Sequence, residues 1–199
     1  MTGQAAGPTL GSRTVRGTHM PRRLALTVLA AALCGSAAAQ PAQPQPASPL
    51  AIARCVWGAL PATTRAALVA SGPTIDDIGK AVSGMSPALM QLAQSQCPSP
   101  TTKQIADAAK DAWAGTVMTN WSESELSTRY RVTPAALALA WSRVPAASRR
   151  QIAAGFDKAP EAVRGDIAIF AAQLRLTDPV ALDLLSAWAI AQMKLAVLN

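Results

Sequence analysis

The chain has 199 residues and a formal net charge of +7, and half of its residues are apolar although only 4% are aromatic. Four arginines and no acid precede residue 40, so 14 basic and 11 acidic side chains remain after it. Because those charges form no basic run, they argue against a nucleic-acid-binding surface. Alanine supplies much of the apolar fraction, and this composition favours an all-α protein over a β-rich one.

Residues 1–39 have the pattern of an export leader. Met20 is followed by a short basic region, an apolar stretch and a run of small residues that ends at Ala39. This order is typical of a secretory signal peptide. We therefore expect translation to begin at Met20, a signal peptide over 20–39, and a mature periplasmic or secreted protein that begins at Gln40 after cleavage.

Three other interpretations of the leader stay open. The apolar stretch is shorter than the roughly 20 residues of a membrane-spanning helix, but an uncleaved anchor would still hold the protein at a membrane. Lipidation of Cys34 is disfavoured because Leu33 occupies the position where a lipoprotein signal has a small residue. The Arg22-Arg23 pair leaves the twin-arginine route open beside the general secretory one.

The rest of the chain divides into a short spacer and one helical domain. Residues 40–47 are rich in proline and glutamine, a composition typical of an extended spacer without a packed core. Within 48–199, four predicted helices open on a capping residue followed by proline, and proline is favoured in the first turn of a helix. These pairs are Ser48-Pro49, Ser86-Pro87, Thr133-Pro134 and Asp178-Pro179.

Apolar residues in this domain recur with helical spacing, and no segment alternates as a strand does. We expect an all-α fold, a compact array of eight or nine helices built from two similar four-helix halves. The predicted helices span roughly 49–59, 62–71, 74–83, 87–96, 101–120, 134–143, 146–156, 160–174 and 178–197.

A short pattern, Trp-x3-Pro-x3-Arg, occurs at 57–65 and again at 141–149. Further along each half, an Ala-Trp-Ala triplet is also repeated. These matches predict two diverged repeats, 48–120 and 133–199, whereas chance similarity between alanine-rich helices is the alternative. If the repeats are real, the halves superpose with Trp57 on Trp141, Pro61 on Pro145, Arg65 on Arg149 and Trp113 on Trp188.

The repeated pattern predicts a tight corner between two helices. The residue before proline is disfavoured in the helical region, so the first helix ends there and the proline starts the next one. The tryptophan would cover the junction. Arg65 and Arg149 would donate to carbonyls left open at the end of the first helix, although a paired ligand contact of these two arginines is an alternative.

Two cysteines, Cys55 and Cys97, follow the predicted cleavage site. An even pair in an exported protein is usually a disulfide, and two buried free thiols are the alternative. The sole histidine, His19, precedes the cleavage site. A zinc site built on these cysteines is therefore not expected.

The chain beyond the leader contains no recognisable catalytic pattern. Without histidine it lacks the commonest general base and metal ligand. Among the acids, Asp76 and Asp77 fit the first turn of a helix, and Ser122 with Glu125 has the spacing of a capping box. We therefore expect no catalytic residue, no cofactor and no metal, and we expect a polar linker, including Tyr130, between the repeats.

These features favour an exported, non-catalytic helical module that binds a protein, a peptide or an apolar ligand in the periplasm. A carboxylate-dependent hydrolytic or lytic enzyme of the cell envelope is the second hypothesis. A membrane-surface protein that uses the apolar end of the last helix, 193–198, is the third. Converging carboxylates in a cleft would favour the enzyme, and an open apolar groove would favour the binding module.

Overall fold

The computed structural model describes residues 46–152 and 161–198, which contain nine α-helices and no β-strand. The all-α prediction is confirmed for this part of the chain. The predicted leader, the start at Met20, the cleavage between Ala39 and Gln40 and most of the spacer lie outside the described residues. The helices are α1 Pro49–Ala59, α2 Ala62–Val69, α3 Ile75–Ser83, α4 Pro87–Ser95, α5 Lys103–Tyr130, α6 Pro134–Ser142, α7 Ala146–Ile152, α8 Glu161–Gln173 and α9 Pro179–Val197.

Side-chain caps begin three of the four helices that open with proline. Their acceptors are Ser48 for the N–H of Ala51 (3.2 Å), Thr133 for that of Ala136 (3.2 Å) and Asp178 for that of Ala181 (3.1 Å). Ser86 precedes α4 but makes no such bond. Each cap satisfies an N–H that the first helical turn leaves open, so cap and proline together determine where the helix begins.

The longest helix, α5, continues to Tyr130 and so passes its predicted end at residue 120. Ser122 lies inside this helix, where it is fully buried and its hydroxyl donates to the Met118 carbonyl at 2.7 Å. Trp121 and Leu126 are buried beside it. The predicted linker and its capping box at Ser122 are therefore wrong, because burial of this apolar face outweighs the local cap signal.

The central pair of the core is α5 and α9. Helix α5 packs along both α9 and α1. Gly115 of α5 permits a close approach to α9, since a Cβ atom there would lie only 3.0 Å from a methyl carbon of Leu195. Another part of the core joins α6, α8 and α9 through Trp141, Phe170 and Trp188, whose ring centroids lie between 5.3 and 6.2 Å apart.

Helix α9 has 19 residues and a mean hydropathy of 1.5, so by length and composition alone it is able to cross a membrane. A buried core helix of a soluble protein meets the same criterion. Leu184, Leu185 and Trp188 of α9 are buried in the core. Membrane contact through residues 193–198 stays a prediction.

The predicted duplication also stays a prediction. The described residues before 133 form five helices, α1–α5, and those after it form four, α6–α9. Residues 153–160, within and after the predicted 146–156 helix, lie outside the described part. Each Trp-x3-Pro-x3-Arg pattern does span the end of one helix and the start of the next, α1 to α2 and α6 to α7.

Candidate functional site

Cys55 and Cys97 form a disulfide, which confirms the pairing predicted from the sequence. The sulfur atoms are 2.11 Å apart and the Cα atoms 5.7 Å apart, as expected for such a bond. Cys55 belongs to α1, whereas Cys97 follows α4. The bond therefore fastens α1 to the loop that leads into α5, beside a cleft that Val56 and Pro98 help to line.

This cleft has a volume of about 470 Å³ and lies between α1, the end of α4, the following loop and the N-terminal part of α5. That volume is within the roughly 300–1,000 Å³ typical of small-molecule sites. Most of the lining is apolar. The apolar residues are Ile52, Ala53 and Val56 of α1, Met90 of α4, Pro98 and Pro100 of the loop, and Ala106, Ala109 and Trp113 of α5.

The polar residues that line the cleft are exposed and carry little charge. Four of them are neutral, namely Gln91, Gln94, Ser95 and Ser99. Among the described residues that line the cleft, Lys110 is the one with an ionisable side chain, and its ammonium lies 3.7 Å from a carboxylate oxygen of Asp107. The lining is therefore suited to an apolar ligand rather than to acid–base chemistry.

Trp113 gives the cleft wall one unsatisfied polar group. Its indole N–H is shielded from solvent and has no acceptor among the described residues. In contrast, Trp121 donates to the Gly72 carbonyl at 2.8 Å, and Trp188 donates to a Glu123 carboxylate oxygen at 3.0 Å. A buried donor without an acceptor costs about 1–3 kcal/mol. Because the N–H is shielded from solvent, it is not reached from the cleft in this structure.

The two arginines of the repeated pattern make different contacts. Arg65 donates to carbonyls at the end of α1, as predicted for a helix corner. These carbonyls belong to Leu60 (2.5 Å), Gly58 (2.8 Å) and Trp57 (3.3 Å). The guanidinium of Arg149 instead lies 5.9 Å from the ring centroid of Trp141, which is a cation–π distance. Neither arginine lines the cleft, and their joint ligand contact stays a prediction.

The acids considered for catalysis serve structural contacts. Asp77 accepts bonds from the Thr74 hydroxyl (2.6 Å) and N–H (3.1 Å) at the start of α3, and these bonds hold its pKa below the ordinary value. Burial raises the pKa of Glu125, and the charge of Arg129 only partly offsets this effect. Asp77 and Glu125 are close enough for their charges to interact, but neither lines the cleft.

Within residues 46–152 and 161–198, no group of three or more His, Cys, Asp or Glu side chains is arranged to hold a metal ion. Sequence reasoning identified the disulfide and the Arg65 contact but missed the cleft. Its lining residues come from four segments that show no common pattern along the chain. The nearest sequence signal was the position of both cysteines, since each is adjacent to a lining residue.

Comparison of the chain with protein families, with curated proteins and with solved structures gave no significant match. The assignment of a site therefore depends on the geometry of the molecule itself. The disulfide-fastened cleft between α1, α4 and α5 is the feature of that geometry best suited to hold a ligand.

Proposed function

We propose that the protein is an exported helical module that binds an uncharged, largely apolar small molecule in the cleft between α1, α4 and α5. The cleft itself is the observation that carries this proposal, because its volume of about 470 Å³ and its mainly apolar lining fit such a ligand.

A binding role is favoured over catalysis by the chemistry of the lining. A carboxylate-dependent enzyme needs two acids that face the substrate, and the described residues that line the cleft include no acid. Asp77 and Glu125 are the closest approach to such a pair, yet Asp77 is engaged by Thr74 in the cap of α3. The enzyme therefore ranks second.

Export is part of the same proposal. A structural disulfide persists in oxidising compartments and is rare in the cytosol, and Cys55 is bonded to Cys97. This agrees with the signal peptide predicted over 20–39. The bond also supports the cleft directly, because it joins two of the segments that form its wall.

We further propose that the chain arose by duplication and that its halves have since specialised. The first half has the disulfide and the cleft. The second half has the aromatic cluster of Trp141, Phe170 and Trp188. Ligand binding would then belong to the first half, and the second half would mainly supply core.

The proposal is tested by filling the cleft. Ala106→Leu places a larger side chain in the lining, and we expect it to weaken binding of the neutral apolar fluorophore N-phenyl-1-naphthylamine by about tenfold or more. Ala114→Leu is the matched control, since Ala114 is an exposed residue of the same helix outside the lining. Binding is measured by the rise in probe fluorescence on titration.

The two variants separate a specific cleft from general surface adsorption. Wild-type affinity in Ala114→Leu together with weak binding in Ala106→Leu supports the proposal. Equal affinity in both variants, or no saturable binding to the wild-type protein, contradicts it. Circular dichroism of each variant shows whether the helices are retained.

A further inference from the structure

Two helices of the protein end in the same unusual way, each with an arginine in the left-handed conformation. Arg131 follows α5 with φ 58°, and Arg175 follows α8 with φ 57°. They are the two non-glycine residues with positive φ in the part of the chain that the structure describes. Left-handed backbone crowds a Cβ atom, so glycine usually occupies this position at a helix end.

Each end is closed by a backbone bond across the arginine, which at Arg175 spans five residues as in a Schellman turn and at Arg131 spans six. Val132 donates its N–H to the Leu126 carbonyl at 3.2 Å, and Leu176 donates to the Ala171 carbonyl at 3.0 Å. Both donors are buried apolar residues that directly follow the arginine. The sequences agree as well, since Arg131-Val132-Thr133-Pro134 corresponds to Arg175-Leu176-Thr177-Asp178-Pro179 with one residue added.

The two helix ends meet at one cavity of about 300 Å³. Both arginines line it, together with Tyr130 and Gln173. A hydrogen bond from the Tyr130 hydroxyl to the Asp178 carboxylate links the end of α5 to the start of α9. This bond raises the pKa of Tyr130 and lowers that of Asp178, so the Asp178 charge already has a partner at neutral pH.

The polar groups that line this cavity are suited to an anion. The described lining residues include no carboxylate, and neither Arg131 nor Arg175 forms an ion pair within residues 46–152 and 161–198. Arg143 donates to the side-chain oxygen of Gln173 at 3.4 Å, which leaves the amide N–H groups of Gln173 as donors. Two guanidinium groups and an amide are the donor set expected around an oxyanion.

A role in capping the helices does not require this arrangement. A cation at a helix C-terminus is favourable, but Arg129 already provides one in the last turn of α5 without left-handed backbone. Glycine would allow the same left-handed helix end with less crowding. Two arginines in this costly conformation, at one cavity and without an ion-pair partner among the described residues, have a better explanation in a ligand than in folding.

We propose that Arg131 and Arg175, with Gln173, bind a phosphate group at the cavity between the ends of α5 and α8. The group belongs either to a free phosphate or to the headgroup of an anionic phospholipid, and both present the same oxyanion. The site is separate from the apolar cleft, because the two have no lining residue in common.

The test uses the full chain and two probes, inorganic phosphate and vesicles of phosphatidylglycerol. Arg131→Gly and Arg175→Gly remove the cations while suiting the left-handed backbone, so the fold is retained and the Tm stays equal or rises. We expect each variant to weaken binding about tenfold, the loss typical of one charge-assisted contact. Arg54→Gln is the control, since Arg54 is exposed on α1 and outside this cavity.

Isothermal titration calorimetry with phosphate and co-sedimentation with vesicles distinguish free phosphate from a phospholipid headgroup. The site is supported if either probe binds saturably to the wild type and to Arg54→Gln but not to the glycine variants. The probe that binds then identifies the source of the phosphate group. Three results would overturn it: no saturable binding of either probe, equal loss in Arg54→Gln, or a fall in Tm in the glycine variants that accounts for the loss.

Discussion

The corners at 57–65 and 141–149 share the spacing of tryptophan, proline and arginine, yet different contacts stabilise them. In the first corner, Leu60 is extended with ψ 141°, and Arg65 donates to the carbonyls that this geometry leaves open. In the second corner the backbone forms a tighter turn, in which Val144 donates its N–H to the Trp141 carbonyl at 3.0 Å. Because the backbone itself satisfies this carbonyl, Arg149 lies over the indole ring instead.

The comparison separates what the spacing determines from what it does not. It determines where the next helix begins, because α2 and α7 both start at the residue that follows the proline. It does not determine how open carbonyls are satisfied or how deeply the tryptophan is buried. Trp141 is only 8% exposed and packs on two aromatic rings, whereas Trp57 is partly buried.

The largest expected difference between the corners concerns their tryptophans. Trp141→Ala should lower the free energy of unfolding by about 5 kcal/mol, because it removes a buried ring from the aromatic cluster. Trp57→Ala should lower it by about 2 kcal/mol, since part of that ring's surface is already exposed before the change. Urea unfolding followed by circular dichroism measures both values. Equal losses would mean that the two corners are equivalent after all.

The disulfide gives the second difference, since Cys55 is bonded in the first half while the second half has no cysteine. Replacing both Cys55 and Cys97 by serine opens a loop with a sequence separation of 42 residues. The chain-entropy relation predicts a loss of about 4 kcal/mol in the free energy of unfolding. Urea titration of the double variant and the oxidised wild type measures it. A loss below about 1 kcal/mol would show that the packing of α1 on α5 suffices without the bond.

The arginines give the smallest difference. Arg65→Ala leaves several carbonyls unpaired and should cost about 1–3 kcal/mol, whereas Arg149→Ala loses one cation–π contact worth about 0.5–1 kcal/mol. Arg54→Ala, on the exposed face of α1, is the control for loss of an arginine alone. Thermal unfolding of the three variants ranks them. A larger cost for Arg149→Ala than for Arg65→Ala would reverse the interpretation of the two corners.

Local signals allowed much of the helical pattern to be predicted, and tertiary contacts account for the errors. Proline with a preceding cap located the starts of α1, α6 and α9, because cap bonds involve only neighbouring residues. The same reasoning failed at Ser122, where burial of Trp121 and Leu126 extends α5. A serine followed three residues later by glutamate therefore indicates a helix start only when the preceding residues are not required in the core.

The sites were harder to predict than the fold for a physical reason. The cleft depends on how α1, α4 and α5 approach one another, and no spacing along the chain encodes that geometry. Arg131 and Arg175 adopt the left-handed conformation because of where α5 and α8 end. A signal for it existed, since both arginines precede an apolar residue and threonine, but arginine at a position that favours glycine is not a usual helix-end pattern.

The location of ligand binding tests the central claim most directly. We propose to record backbone amide chemical shifts of the full chain, with and without N-phenyl-1-naphthylamine. The account predicts saturable shifts concentrated at 52–56, 90–95, 98–100 and 106–113, the segments that line the cleft, and little change around Trp141 and Phe170 in the second half. Shifts concentrated in the second half, or spread evenly over the surface, would contradict the assignment of the cleft as the ligand site.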